Sequence, residues 1–171
     1  MNSFALALSF VLSQEGGYSN DPHDPGHATM HGITLQVYRD YYNDQSLTIT
    51  DLRSISNAEI GAIYKTNYYS RCHCEQLPAG VDLMVFDFAV NSGVNDSIRL
   101  LQQVVGVTQD GEIGPETLAA IRKLSPTALV NELYLAQVAK YKTFSDFPTF
   151  GNGWLARAKR RKDAALAMIP V

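Results

Sequence analysis

Apolar positions along the chain recur with the spacing of amphipathic helices far more often than with the alternation of strands. Phe4, Leu8, Val11 and Leu12 share one face of a helix predicted over 3–14, with Asn2 or Ser3 available as its N-cap and Gly16-Gly17 as its stop. A turn-rich interval follows, then a short strand region over 29–34 in which Gly32 allows close approach. Thr34 can cap a helix over 35–43 that buries Val37, Tyr38, Tyr41 and Tyr42, and a polar connection leads to Ser56. Ser56 and Glu59 spell a capping box for a helix over 58–70. The segment 79–91, AGVDLMVFDFAVN, is apolar nearly all round between Pro78 and Gly93, which predicts a buried helix. Further helices are expected from an Asn95 cap to Gly106, from Pro115, from Ser125-Pro126 through 144, and from Asn152 onward, with Asp110-Gly111 making a turn. About seven helices and one strand region predict an α+β, predominantly helical fold. No low-complexity linker divides it, so two lobes, 1–92 and 93–171, are expected to share a core.

Composition changes this picture little: with 171 residues, 46% hydrophobic and 18% charged, the chain has the makeup of an ordinary globular domain. No apolar run approaches a membrane span. The run FALALSFVL lacks the positive charge and the small-residue cleavage site of a signal peptide, so it is read as a core helix in a protein made in the cytoplasm. Cys72 and Cys74 enclose a single histidine, which suits neither a zinc site nor a bridge within one strand; free thiols are expected, with no metal and no cofactor. Charge is unevenly spread. Residues 1–90 hold 4 basic and 10 acidic groups, whereas 91–171 hold 10 and 7. Five of the basic groups, Arg157, Lys159, Arg160, Arg161 and Lys162, crowd the last helix, where they form either a solvated face or a cationic surface that attracts anionic partners. No nucleic-acid motif accompanies them.

The polar residues that break the apolar pattern carry the candidate chemistry. Glu15 falls in the last turn of the first helix, where the negative end of the helix dipole and apolar neighbours disfavour an ionised carboxylate. That is the condition of a general acid. Asp21, Asp24 and Thr29 lie in the loop beyond, and a fold-back into the 29–34 strand can set Asp24 opposite Glu15 across a cleft. Two carboxylates in unlike environments are the equipment for cleaving a glycosidic bond. The same three loop residues also suit the capping of turns, which Asx side chains do routinely. In the apolar helix, Asp82 is in the first turn and Asp87 and Asn91 share a face four residues apart.

The stretch EGGYSNDPHDPG, followed by A-T-x-x-G-I-T, resembles the signature of glycoside hydrolase family 108, the N-acetylmuramidases, and DFAVNSG, DGEIGPETLAAI and PTFGNGW extend the resemblance over nearly the whole chain. The phrase LLQQVVGVTQDGEIGPETLAAI is similar to the peptidoglycan-binding repeat at the C-terminal end of that family. The order Glu, Asp, Thr also resembles the phage-type lysozymes, with an Asp-to-Thr gap one residue shorter here. His27 stands where the family has a second glycine, Met30 where it has a polar residue, and His31 where it is often aromatic.

The resemblance implies a two-lobed, lysozyme-like fold with a small β-hairpin near the active site. It implies hydrolysis of the β-1,4 bond between N-acetylmuramic acid and N-acetylglucosamine, with Glu15 as acid and Asp24 and Thr29 as its catalytic partners. Tyr18, Asp21, His31, Tyr69, Asp87 and Asn91 are the expected substrate-binding residues, Asp87 as support and Asn91 as contact. Peptidoglycan strands are the expected partner, with no nucleic acid and no integral membrane segment. A monomer is expected, brought to the wall by an export helper such as a holin or secretion system. A lytic transglycosylase and a catalytically weak wall-binding module are the alternatives.

Overall fold

The computed structural model describes residues 3–20 and 28–170. Helix α1 (Ser3–Gln14) leads into an antiparallel sheet of three short strands, β1 (Tyr18–Asn20), β2 (Ala28–Met30) and β3 (Ile33–Thr34), in that spatial order. In its register Ser19 faces Thr29, and Thr29 faces Thr34. Then come α2 (Leu35–Tyr42), α3 (Ile49–Arg53) and α4 (Asn57–Tyr64). The second half is helical throughout: α5 (Val81–Ser92), α6 (Val94–Val105), α7 (Pro115–Ile121), α8 (Pro126–Tyr141) and α9 (Phe147–Met168).

Local chemistry accounts for most of these boundaries. The Thr34 side chain accepts from the Val37 N–H, Ser56 and Glu59 form a reciprocal capping box, and Ser125 accepts from Ala128. Pro115 and Pro126 sit in the first turns of α7 and α8, where the missing N–H has no intrahelical partner to lose.

Asn95, expected as a cap, lies inside α6, α8 ends at Tyr141 instead of 144, and three further boundaries differ from expectation. The supposed polar connection before Ser56 contains α3, started by a Thr48–Asp51 capping box. The helix predicted over 58–70 is α-helical only to Tyr64, then widens through Lys65–Tyr69, where the Ser70 N–H reaches back five residues to the Lys65 carbonyl. The last helix starts at Phe147 instead of Asn152, since Pro148 is tolerated in a first turn and Gly151 packs against the Phe147 ring.

Helix α5 is the hub. Every residue from Val81 to Ala89 is buried, and α1, α6, α8 and α9 all pack on it. A helix so enclosed needs partners for its two aspartates. Asp82 has them near its start: the Gly80 N–H at 2.8 Å, the Ser3 hydroxyl at 2.5 Å and the Tyr69 hydroxyl at 2.7 Å. The helix dipole thus supplies only part of its accommodation. Across α6, the fully buried Gln102 donates to Asp110 and to the Glu112 carbonyl and accepts from the Gly111 N–H, so one amide organises the DGEIG loop. Cys72 and Cys74 are free and buried, and burial together with the neighbouring Cys72 sulfur holds the Cys74 thiol well above its ordinary pKa. Among the described residues, no helix is long and apolar enough to cross a membrane.

Where α5 meets α9, Gly80 has φ +85°, and a Cβ there would stand 2.4 Å from the Ala165 carbonyl oxygen. Gly80→Ala is therefore expected to destabilise the fold by about 2 kcal/mol or more, through positive φ and overlap together. Thermal unfolding of the variant beside the parent checks it, and an unchanged midpoint would contradict the packing described.

Candidate active site

Glu15 follows the last residue of α1, its N–H still bonded to the Val11 carbonyl at 3.2 Å, so the helix sets where its side chain leaves the backbone. About a fifth of that side chain is exposed (20%). Its Oε1 accepts from Arg157 Nη1 at 2.9 Å. The same guanidinium reaches the other way: Arg157 Nη2 lies 2.6 Å from Asp87 Oδ1, and Nε lies 3.2 Å from both Asp87 oxygens. Asp87, fully buried in the middle of α5, also takes Arg161 Nη1 on Oδ2 at 2.6 Å. Arg161 in turn donates to Gln137 Oε1 at 2.8 Å, and Gln137 Nε2 donates to the Met84 carbonyl at 2.9 Å.

Among the described residues, two carboxylates and two guanidiniums thus balance in charge. Balance matters because an unpaired buried charge is far more expensive than a paired one. One donor, Arg161 Nε, has no partner among the described residues, and the guanidinium sits 5.7 Å from the centre of the Phe88 ring, whose face attracts cations. Burial works against the Arg157 charge, but the Asp87 and Glu15 carboxylates outweigh it and raise the pKa.

The opposite wall comes from the sheet. His31 and Gly32 join β2 to β3 with φ of 49° and 77°, the positive values that a two-residue hairpin turn of type I′ requires. The Tyr64 hydroxyl donates to the His31 carbonyl at 2.8 Å. A Cβ on Gly32 would stand 2.7 Å from that hydroxyl and 3.0 Å from Glu15 Oε2. Only glycine lets this turn lie so close to the carboxylate. Burial, and after it the Glu15 charge, raises the pKa of both Tyr64 and Tyr68, so Tyr64 stays a neutral donor.

The other site residues expected from sequence are distributed unevenly. Asp21 and Asp24 lie outside the described residues. Thr29 is half-buried in β2, paired with Ser19 and Thr34, on the strand that leads to His31. Tyr18 is exposed on β1 with the Arg53 guanidinium 4.8 Å over its ring, and Asn91 is exposed at the end of α5, its amide 3.3 Å from the Tyr141 hydroxyl. Two of the expected residues are enclosed, Asp87 in keeping with its expected supporting part. Tyr69 is 3% exposed and spends its hydroxyl on Asp82, because the widened turn after α4 rotates it into the core. Asp87 is wholly enclosed and acts on Glu15 only through Arg157.

The basic cluster of the last helix also divides. Arg157 and Arg161 turn inward, whereas Lys159 pairs with Asp163, Arg160 holds Gln14, and Lys162 lies over Tyr134. The inward pair, with Tyr64 and Gln137, was missed by sequence reasoning. The available signal was the four-residue spacing of Arg157 and Arg161 on one helix face, matched to a lone aspartate in an apolar helix. Among the described residues, no group of three or more His, Cys, Asp or Glu is gathered for a metal ion.

The family described as Glycosyl hydrolase 108 matches residues 8–93, and the family described as Predicted Peptidoglycan domain matches residues 96–159. The solved structure of Brucella abortus SagA is similar, with 41% identity over 96% of this chain and 94% of that one and a TM-score of 0.86. No curated protein gave a match. The fold is thus the predominantly helical, lysozyme-like α+β arrangement with a small antiparallel sheet.

Two substitutions test the geometry. Gly32→Ala should displace Tyr64 and Glu15 and cut turnover at least tenfold, while the hydroxyl-free Tyr64→Phe background should tolerate the same methyl better; equal losses in both backgrounds would contradict the contact. Asp87→Asn leaves Arg161 and Arg157 short of a counter-charge and should cost about 3–5 kcal/mol of stability. Denaturant titration measures that loss.

Proposed function

Since the chain belongs to the glycosyl hydrolase 108 family, we propose that its lysozyme-type peptidoglycan hydrolase activity is that of an N-acetylmuramidase, with Glu15 protonating the departing oxygen of the β-1,4 bond between N-acetylmuramic acid and N-acetylglucosamine. One observation carries this assignment: Glu15 is partly open to solvent yet gripped by Arg157 on one side and faced by the Gly32 turn on the other. With Oε1 engaged by Arg157, Oε2 is the oxygen left to face the glycosidic bond. A fixed acid of this kind contributes roughly 10² to 10⁴-fold to a rate.

Asp24 supplies the second carboxylate, which either steadies the developing oxocarbenium charge or orients water, and Thr29 holds that water by its hydroxyl. Tyr18, Asp21, His31 and Asn91 serve as substrate contacts on the sheet, its loop and the end of α5. Residues 1–92 and 93–171 act as two lobes of one enzyme, not as a hydrolase with a detachable binding module. Support for that comes from Arg157, which lies in the second lobe and completes the site of the first. Helix α1 is part of the catalytic lobe and not a removable leader, since Ala7 and Val11 are wholly buried and the helix carries Glu15 to its place.

Glu15→Gln is expected to abolish nearly all turnover of purified sacculi while leaving sacculus binding intact, because the amide keeps the shape and loses the proton. A variant that retains most of its activity would remove Glu15 from the role. Mass spectrometry of the digest decides the reaction: reducing ends are expected, and anhydro-muropeptides would make the enzyme a lytic transglycosylase instead.

A further inference from the structure

A cavity lies one helical turn from the ion cluster, at the corner between α8 and α9. It has a volume of about 440 Å³ and is walled by Trp154 and Phe144, with Asn91, Thr143, Ser145 and Asp146 around it. Its position follows from the two helices that hold Glu15. Asn91 is four residues beyond Asp87 on α5, about 6 Å along the axis, and Trp154 is three residues before Arg157 on α9, about 4.5 Å. Both steps lead from the Asp87–Arg157 pair to this cavity, so it continues the seam on which the acid is mounted.

From its lining, we propose that this cavity is a carbohydrate subsite that takes one neutral N-acetylhexosamine residue of the glycan strand, stacked on Trp154 and held through its hydroxyl or acetamido groups by Asn91 and Asp146. The proposal rests on the muramidase reading above. An aromatic wall with a few convergent polar groups is the makeup of a small-molecule site, and the volume is in the range of such sites. Trp154 is half-buried and propped by Tyr141, Phe144, Phe147 and Phe150, with ring centres 5.6 to 6.4 Å away, so its ring is fixed while one edge of the cluster stays open. Phe150, 56% exposed beside it, is an apolar surface with no place in the core.

Charge narrows the ligand class. Asp146 is the one charged side chain lining the cavity among the described residues, and a carboxylate accepts hydroxyl donors but repels the carboxylates of a stem peptide or a phosphate. The nearby Lys140 is taken up by Asp96 at 3.3 Å. A neutral sugar fits where an acidic peptide does not. Asn91 is oriented from behind by the Tyr141 hydroxyl, which also lies 3.5 Å from Arg161. The subsite and the acid are therefore braced by the same buried network.

Trp154 is the only tryptophan in the chain, so its fluorescence reports on this cavity alone. In Glu15→Gln protein, titration with tri-N-acetylchitotriose should change the Trp154 emission saturably. Asn91→Ala and Asp146→Ala, both at exposed positions, should each weaken that response about tenfold, and Asn91→Ala should raise KM on sacculi by a similar factor. An emission that does not move at saturating trisaccharide, or that responds equally in both variants, overturns the proposal, as does a response to free stem peptide in place of the sugar. The two readings fail separately. Activity surviving in Glu15→Gln with the fluorescence response intact would remove the acid and leave the subsite, whereas a dead Glu15→Gln enzyme with silent Trp154 would do the reverse.

Discussion

Arg157 standing between two carboxylates is the contact on which the rest of the molecule depends. Asp87 sits where no water reaches, in the middle of a helix buried on all sides, and would be costly there without counter-charges. Arg161 supplies one and Arg157 the other. Once Arg157 is committed to Asp87 its remaining donors point at a single place, and α1 ends there with Glu15. Glu15, in the first half, is thus held by a side chain from the last helix, and α9 can only reach it by packing along α5 and α1. Fold and site form together because the same charge cluster closes both.

The other side of the site is built from the opposite kind of constraint, the absence of a side chain. The β2–β3 turn approaches Glu15 so closely that no Cβ fits at Gly32, and Tyr64 pins the turn by its bond to the His31 carbonyl. Arg157 grips one oxygen of the carboxylate while the hairpin faces the other. This arrangement suits a group that must present one oxygen to an incoming glycosidic bond, since general acid catalysis depends on placing the proton before the reaction begins. The departures at Met30 and His31 are easier to understand in this light. The His31 backbone at the turn is in use, whatever its ring does, and Met30 packs half-buried against the core.

Continuity between the halves gives the C-terminal segment more than one task. It carries the buried arginines, it braces α5 through Gln137, and at its α8–α9 corner it forms an aromatic cavity next to the seam. A chain organised in this way has no surface along which one half could be removed without exposing α5.

The sequence by itself determined the elements and the acid's neighbourhood. Thr34, Ser56–Glu59, Pro115 and Ser125-Pro126 mark helix starts because a cap or a first-turn proline acts on atoms two to four residues away. Periodicity likewise exposed α5 as a buried helix, and the EGGY motif placed Glu15 at the end of α1. Tertiary structure alone decided what those residues touch. Glu15 and Arg157 are 142 positions apart and Asp87 and Arg157 are 70 apart, so no local pattern links them. Arg157 and Arg161 read as part of a basic stripe, and only the packing of α9 on α5 turned two of its five charges inward. Tyr69 is turned into the core by a one-residue widening after α4 that leaves hydrophobic spacing almost unchanged, whereas Tyr64, the last residue of α4 itself, reaches the His31 carbonyl. Caps and periodicity report a residue's neighbours along its own helix, whereas a partner for a buried charge is chosen by whichever distant helix can reach it.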